Sequence, residues 1–340
     1  MKLIIQIPCH NEAETLPATI ADLPKTIPGI DCIEYLVVDD GSTDSTSSVA
    51  RELAVEHIIR LPTRQGLAQA FSTGLAACLK QGADIIVNTD GDNQYYGQDI
   101  ERLIEPILAG RAEIVIGARP IDEIPHFSYT KKLLQRLGSW VVRKVSDTSV
   151  ADVTSGFRAY SRQAALRLNV FSSYTYTLET IIQAGRSNMT VESIPVRVNP
   201  PLRESRLIRS IPGYIHRSLM TILRIFVLYK PLRFFVYLGS SLFGGGFIIG
   251  LRFLYFYFEG QGEGKIQSLI LGAVLLLMGV QLILMGMVAD LIATNRRILE
   301  DIQYFERARE LKEGRQEAAR AGRESGLRDL QTPKMKERSG

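Results

Sequence analysis

Residues 83–92 read Ala83-Asp84-Ile85-Ile86-Val87-Asn88-Thr89-Asp90-Gly91-Asp92, and this stretch decides the fold class. Its apolar run has the short, unalternating character of a strand buried on both faces of a parallel sheet. Two carboxylates one residue apart follow it, at the carboxyl end of the strand, where open α/β sheets bind ligands. Hard divalent cations favour oxygen donors, and Mg²⁺ or Mn²⁺ shares its coordination between a few carboxylates and substrate phosphates. Asp90 and Asp92 are therefore candidate metal ligands, and Gln94 adds a neutral oxygen two residues on. An acidic turn is the plainer alternative for a lone pair of this kind. The surrounding sequence decides between the two.

Around this strand the chain alternates from residue 1 to about 120. Strands are expected at Leu3–Ile7, Ile33–Val38, His57–Leu61, Ile85–Thr89 and Glu113–Gly117, and helices at Glu14–Leu23, Ser45–Ala54, Gly66–Gln81 and Asp99–Ala109. The third helix is the clearest, with Leu67, Ala70, Phe71, Gly74, Leu75, Cys78 and Leu79 at helical spacing. Alternation of this kind predicts a doubly wound parallel sheet with ligand residues at the strand ends. Further on, residues 128–146 have the pattern of a helix, a loop runs from Ser149 to Ser155, and a helix around Thr177–Ala184 precedes a strand at Thr190–Val198.

The chain has 340 residues, enough for one large domain plus extras. Hydrophobic residues make up 46%, and the excess is localised in Leu232–Phe258 and Ile266–Leu291. Each run exceeds the roughly 20 residues needed to cross a bilayer core. Two buried helices of a soluble bundle are the alternative, but runs apolar on all sides suit lipid better. Lys230 precedes the first run, Arg233 lies at its start, and Arg296 and Arg297 follow the second, whereas the connector holds Glu259, Glu263 and only Lys265. The bias of cations puts both ends on the cytoplasmic side of an inner or plasma membrane. No signal peptide is visible, and Cys9, Cys32 and Cys78 lack C-x-x-C spacing, which suits a reducing compartment. A net charge of +4 fits a membrane surface better than nucleic acid, for which no motif appears.

Between these parts, Ile208, Ile211, Ile215, Leu219, Ile222, Leu223 and Phe226 form one stripe, with Arg209, His216, Arg217 and Arg224 off it. Such a basic amphipathic helix lies in a membrane interface, or alternatively packs on the preceding domain. The organisation expected is an α/β domain at 1–206, an interfacial helix at 207–230, a transmembrane helical hairpin within 231–292, and a charged tail at 293–340, helical at first and then disordered.

Four segments carry a resemblance. Ile7-Pro8-Cys9-His10-Asn11-Glu12 resembles a strand-one P-x-x-N-E segment, Asp39-Asp40-Gly41-Ser42-Thr43-Asp44 a D-D-G-S-x-D turn, Asp90-Gly91-Asp92-Asn93-Gln94 a D-x-D-x-Q metal site, and Ser155-Gly156-Phe157-Arg158 an S-G-F-R segment. Their order and spacing across residues 1–206 resemble the family 2 glycosyltransferases, and within them the polyprenyl-phosphate branch typified by dolichol-phosphate mannose synthase. The processive polymer-forming branch is a poorer match, because its Q-x-x-R-W motif is missing: the only tryptophan, Trp140, sits in Gln135-Arg136-Leu137-Gly138-Ser139-Trp140. One departure is Arg64, which stands before Gln65-Gly66 where the family usually has Asn or His.

The resemblance implies a GT-A (Rossmann-like) fold and transfer of one sugar, with inversion, from a nucleotide-diphosphate sugar (UDP- or GDP-linked) to polyprenyl phosphate, assisted by Mg²⁺ or Mn²⁺. Asp90, Asp92 and Gln94 would hold the cation, Asp39 or Asp40 the base or ribose, and Glu12 the ribose hydroxyls. Pro8, Asn11, Ser42, Arg64 and Asp90 complete the donor set. The segment Asp39–Asp44 also suits an N-capped turn into the following helix, and both roles are compatible. A lipid phosphate is already anionic, so it needs cations rather than a strong base. Arg119 in Gly117-Ala118-Arg119, with Arg158, Arg203 and Arg206, supplies guanidinium candidates for phosphate. Each of these arginines is alternatively a solvated surface charge. The rival functions are transfer to another membrane lipid and an inactive, nucleotide-sugar-binding membrane scaffold. Homo-oligomerisation is left open by the sequence.

Overall fold

The computed structural model describes residues 1–120, 143, 148, 150–170, 176–200, 220, 224, 227, 229–260 and 266–331. Seven strands form one sheet: β1 (Lys2–Cys9), β2 (Cys32–Asp39), β3 (His57–Arg60), β4 (Ile85–Asn88), β5 (Ile114–Ala118), β6 (Arg158–Ser161) and β7 (Val191–Pro195), in the order β3-β2-β1-β4-β6-β5-β7. The stretch quoted first lies where expected, and Ile85, Ile86 and Val87 are all fully buried.

Successive strand residues point to opposite faces, so each strand feeds two apolar layers. Ile4, Leu36, Ile86, Ile116 and Tyr160 pack on one face with helices α3 (Leu67–Lys80), α5 (Arg162–Arg167) and α6 (Thr177–Arg186). Leu3, Ile5, Val87, Val115 and Ala159 pack on the other with α1 (Leu16–Asp22), α2 (Thr46–Glu52) and α4 (Ile100–Leu108). Burial of both faces is what made the strands read as continuous apolar runs.

The sheet is mixed, and this corrects the expectation of an all-parallel one. β1 pairs in parallel with β2 and β4, but β6 is antiparallel to both neighbours, Ala159 facing Val87 on one side and Val115 on the other. The reason lies in the connection. β5 ends at the carboxyl edge, and Arg119, Asp152 and Gly156 all stay there, beside Asp90. A chain that re-enters the sheet from that edge can only run back against its neighbours.

The C-terminal part forms two long helices, α7 (Pro231–Phe258) and α8 (Ile266–Gln331). Both are long and apolar enough to cross a membrane, and only 11% and 17% of their most apolar windows are buried inside the protein, which argues against the soluble-bundle reading. They pack closely through glycines: a Cβ added at Gly239 would lie 2.7 Å from the Gly279 carbonyl oxygen, and one at Gly246 2.7 Å from that of Gly272. Small residues permit such backbone approach where apolar burial gives no driving force. α8 does not break at residue 292, but continues as one helix of 66 residues. The helix expected at 128–146 and most of the interfacial helix at 207–230 lie outside the described residues, as do residues 332–340.

Candidate active site

Four loops leave the carboxyl edge of the sheet and converge. The first follows β1. Pro8 lies two residues past Gln6, the last β1 residue paired with β4, so its missing N–H leaves no ladder bond unmade on that side. Asn11 then takes a left-handed conformation (φ 56°), and its Oδ1 accepts a 2.8 Å hydrogen bond from the Thr43 amide. The Asn11 amide donates to Ser42 Oγ at 3.0 Å. Glu12 is buried, with the Thr15 hydroxyl 2.8 Å from its Oε2.

The second loop follows β2, and protein donors fill its carboxylates. Asp39 accepts from the Ser42 amide at 2.8 Å and from the Ser47 hydroxyl. Burial works to raise its pKa, but these hydrogen bonds and the nearby Arg60 outweigh it and hold Asp39 below the ordinary carboxylate value. Asp40 accepts from the Gln65 and Gly66 amides at 2.6 and 2.9 Å, clasping the entry to α3. Gly41 is required here: its φ is +60°, and an added Cβ would meet Arg64 N at 2.5 Å. Arg64 thus lies against the Asp40–Gly41 turn through its backbone.

The third loop follows β4 and carries Asp90 and Asp92. Removal of solvent from the Asp90 carboxylate, and next the charge of Asp92, push its pKa up to about 7, and Glu12 adds to the same effect. Asp92 Oδ1 accepts from the Gln94 amide at 3.3 Å, and Asn93 is left-handed (φ 55°), so the turn bends sharply between the two. The Gly91 carbonyl accepts from the hydroxyls of Thr15 and Thr19 at 2.8 and 3.1 Å, which ties the loop to α1. Its far side is held by Asn199, whose amide donates to the Gln94 carbonyl at 2.8 Å, and by an ion pair of Arg197 with buried Asp99.

The fourth segment, 152–158, backs the third. Gly156 is so close that an added Cβ would lie 2.8 Å from both Asp90 carboxylate oxygens. Tyr95 stacks on Phe157 with ring centroids 5.0 Å apart, and its hydroxyl accepts from the Gly156 amide at 3.0 Å. Asn88 Nδ2 donates to the Gly156 carbonyl at 2.8 Å and to the Tyr176 hydroxyl at 2.9 Å. Sequence reading missed Tyr95, Asn88, Asp152 and Tyr176. Only Tyr95 carried a signal, as an aromatic residue directly after the D-x-D-x-Q segment.

The arginines part company. Arg119 reaches the site, where it lowers the Asp90 pKa, but its guanidinium is paired with Asp152 at 2.7 Å and also donates to the Thr154 hydroxyl at 2.8 Å. Arg158 is corrected outright as a phosphate ligand. It is fully buried, and it donates to the carbonyls of Val153, Ser155 and Thr177 and to the Thr180 hydroxyl at 2.7–2.8 Å. It pins a loop. Arg203 and Arg206 lie outside the described residues.

A divalent cation fits the third loop by its chemistry. Among the described residues no group of three or more His, Cys, Asp or Glu is arranged so that it could hold a metal ion by itself, so a closed protein cage is not what is offered. Two carboxylates, one of them burdened by its neighbour's charge, suit a cation that completes its shell with phosphate oxygens.

Comparison with known proteins agrees with this geometry. The profile of Glycosyl transferase family 2 matches residues 4–168. The chain is 30% identical to the undecaprenyl-phosphate mannosyltransferase of Micrococcus luteus over 224 residues, covering 63% of this chain and 90% of that protein. It is 26% identical to the polyprenol monophosphomannose synthase of Mycolicibacterium smegmatis, covering 57% and 76%. Among solved structures, glucosyl-3-phosphoglycerate synthase from Mycobacterium tuberculosis in complex with Mn²⁺, UDP and phosphoglyceric acid superposes with a TM-score of 0.52 at 18% identity, over 66% of this chain and 77% of that one. That likeness establishes the fold as GT-A. With the four converging loops and a relative matched over nine-tenths of its length, this chain belongs to the family 2 glycosyltransferases.

Proposed function

We propose that this glycosyltransferase moves a single sugar, with inversion, from a UDP- or GDP-linked donor to polyprenyl phosphate at the cytoplasmic leaflet. The observation that carries the reading is the third loop: Asp90 and Asp92, adjacent, mutually repelling and rigidly backed, at the carboxyl edge of the sheet. A bound Mg²⁺ or Mn²⁺ supplies Lewis-acid stabilisation of the departing diphosphate. Asp90 and Asp92 would hold that cation, with Gln94 as a further oxygen donor. Glu12 and the Asp39–Ser42 turn form the wall against the nucleoside, and Asn11 locks the two together. Arg119, kept charged beside Asp152, adds positive potential next to the diphosphate.

The acceptor side of the reading rests on two supports. Relatives are named for transfer to undecaprenyl phosphate, to polyprenol and, for the Methanococcus voltae protein at 28% identity, to dolichyl phosphate. α7 and α8 also give the chain an anchor of its own at the depth where such a lipid resides. Arg203 and Arg206 remain the candidates for gripping the lipid phosphate, and flanking Lys230, Arg233, Arg296 and Arg297 favour a cytoplasmic catalytic domain.

The test is a matrix of UDP- and GDP-sugars against undecaprenyl phosphate, diacylglycerol and ceramide, run with purified full chain and Mg²⁺, Mn²⁺ or EDTA. Metal-dependent formation of a lipid-linked monosaccharide on the polyprenyl acceptor is expected. Product on a neutral lipid alone would move the enzyme to the other acceptor class, and full activity in EDTA would remove the metal from the reading.

A further inference from the structure

The two chain segments that flank the membrane hairpin meet at one buried carboxylate. Tyr229, two residues before α7, donates its hydroxyl to Glu179 Oε1 at 2.9 Å. Arg296, in α8 beyond the apolar run ending at Leu291, donates to the same Glu179 oxygen at 3.2 Å and to the Tyr229 hydroxyl at 3.3 Å. Its guanidinium also lies 5.1 Å from the Tyr229 ring centroid. Glu179 and Tyr229 are only 6% and 5% exposed, so their bond is shielded from water, while Arg296 is partly exposed and also pairs with Glu300 at 2.8 Å.

Glu179 sits in the first turn of α6, and that turn also grips the active-site backing. The Thr177 carbonyl and Thr180 hydroxyl accept from Arg158, which holds the Val153 and Ser155 carbonyls. Tyr176, preceding the helix, binds the Gly156 carbonyl at 3.3 Å through its hydroxyl. Gly156 in turn lies so near Asp90 that a Cβ added there would fall 2.8 Å from both carboxylate oxygens, so a shift of this segment moves it against the carboxylate. A connected set of side chains and backbone groups, buried along most of its length, therefore runs from the membrane hairpin to the segment beside the Asp90 carboxylate.

We propose that Arg296, Tyr229 and Glu179 are positioning residues: by fixing the first turn of α6 against both ends of the membrane hairpin, they set the place of segment 153–156 and through it the metal-binding geometry of Asp90. The proposal rests on the reading of Asp90 and Asp92 as the cation and diphosphate site. The joint is separable from simple attachment of the anchor. α8 is fastened independently further along, where Arg307 donates to the Leu168 carbonyl at 3.1 Å and Arg167 lies over the Tyr304 ring. Tyr304 and Leu311 also pack against the core. Removing Arg296 should thus loosen the joint while α8 stays docked.

The experiment uses the full chain in lipid nanodiscs. Binding of Mn²⁺ in the presence of UDP or GDP, the melting temperature, and hydrogen exchange are measured for wild type, Arg296→Met, Arg296→Lys and Tyr229→Phe. Outer contacts that orient metal ligands are worth on the order of 10–100-fold in metal affinity. The expected result for Arg296→Met is a tenfold or greater weakening of nucleotide-dependent Mn²⁺ binding, with faster exchange in peptides covering 150–158 and none in those covering 36–48. Arg296→Lys should recover part of the affinity, and Tyr229→Phe, which keeps the packed ring, should weaken binding by about threefold. Unchanged Mn²⁺ affinity in Arg296→Met and Tyr229→Phe, whatever their melting temperatures, would overturn the positioning role and leave a structural staple. If Arg296→Met does not fold, Tyr229→Phe alone decides on the same criterion. Absence of nucleotide-dependent Mn²⁺ binding in the wild type would sink the site reading, and the proposal with it.

Discussion

Two pairs of aspartates end two parallel strands flanking β1, and the protein treats them oppositely. Asp39 and Asp40, at the end of β2, are met by the amides of Ser42, Gln65 and Gly66 and by the Ser47 hydroxyl. Asp39 accordingly ionises more readily than a free carboxyl. Asp90 and Asp92 lie past the end of β4, and Asp90 is pushed up to about 7 by lost solvent and then by the charge of Asp92. The same residue type at equivalent edges is thus satisfied by protein donors in one place and crowded with negative charge in the other. A carboxylate that shapes a pocket is recognised by its donors. Asp90 instead carries a repulsion from Asp92 that Arg119 and Arg158 offset only in part.

The largest expected effect breaks the second pair. Asp92→Ala should lower turnover on the order of 10²–10³-fold, the usual loss when a stabiliser of developing negative charge is removed. Asp90→Asn should do likewise, and its metal-free melting temperature should equal or exceed that of wild type, because a like-charge neighbour of Asp92 is gone. A lowered melt together with preserved turnover would make Asp90 one more wall residue and erase the contrast.

How much of this was legible beforehand follows from where the information resides. The edge motifs were readable because their residue types and spacing are local: a strand, a sharp turn, a carboxylate. β6 was not, since Arg158-Ala159-Tyr160-Ser161 is short, begins with a charge and shows no periodicity; its direction depends on the edge from which the chain re-enters the sheet. Arg158 misled for the same reason. A buried arginine and a phosphate-binding one look alike in sequence, and only the carbonyls of Val153, Ser155 and Thr177 tell them apart. Asp152 and Tyr176 act through partners 33 and 88 positions away, Arg119 and Asn88, which no local pattern encodes.

The next effect tests the first pair. Asp40→Ala leaves the Gln65 and Gly66 amides without their carboxylate, and should cost about 1–3 kcal/mol of stability. Turnover per folded molecule should fall by less than tenfold, measured after correcting for the folded fraction by denaturant melts. A loss matching that of Asp92→Ala with an unchanged melt would show that Asp40 contacts the donor directly and is no mere clasp.

The smallest effect is the pH dependence of Asp39. Its folded pKa is below the ordinary unfolded value, about 3.9. A depressed carboxylate pKa contributes stability that is fully present above the unfolded value and is lost as pH falls through the folded one. Asp39→Asn removes the charge while keeping one acceptor oxygen, so at neutral pH the variant should be less stable by about 1 kcal/mol. The gap should narrow steadily below roughly pH 4, because wild type then protonates Asp39 and forfeits what the variant never had. Other depressed carboxylates, Asp152 and Asp99 among them, titrate in both proteins and cancel in the difference. Urea melts of the two at pH 7, 5, 4 and 3 measure it. A gap constant down to pH 3 would mean that the Ser42 and Ser47 bonds do not favour the ionised form, and the contrast between Asp39 and Asp90 would then be lost.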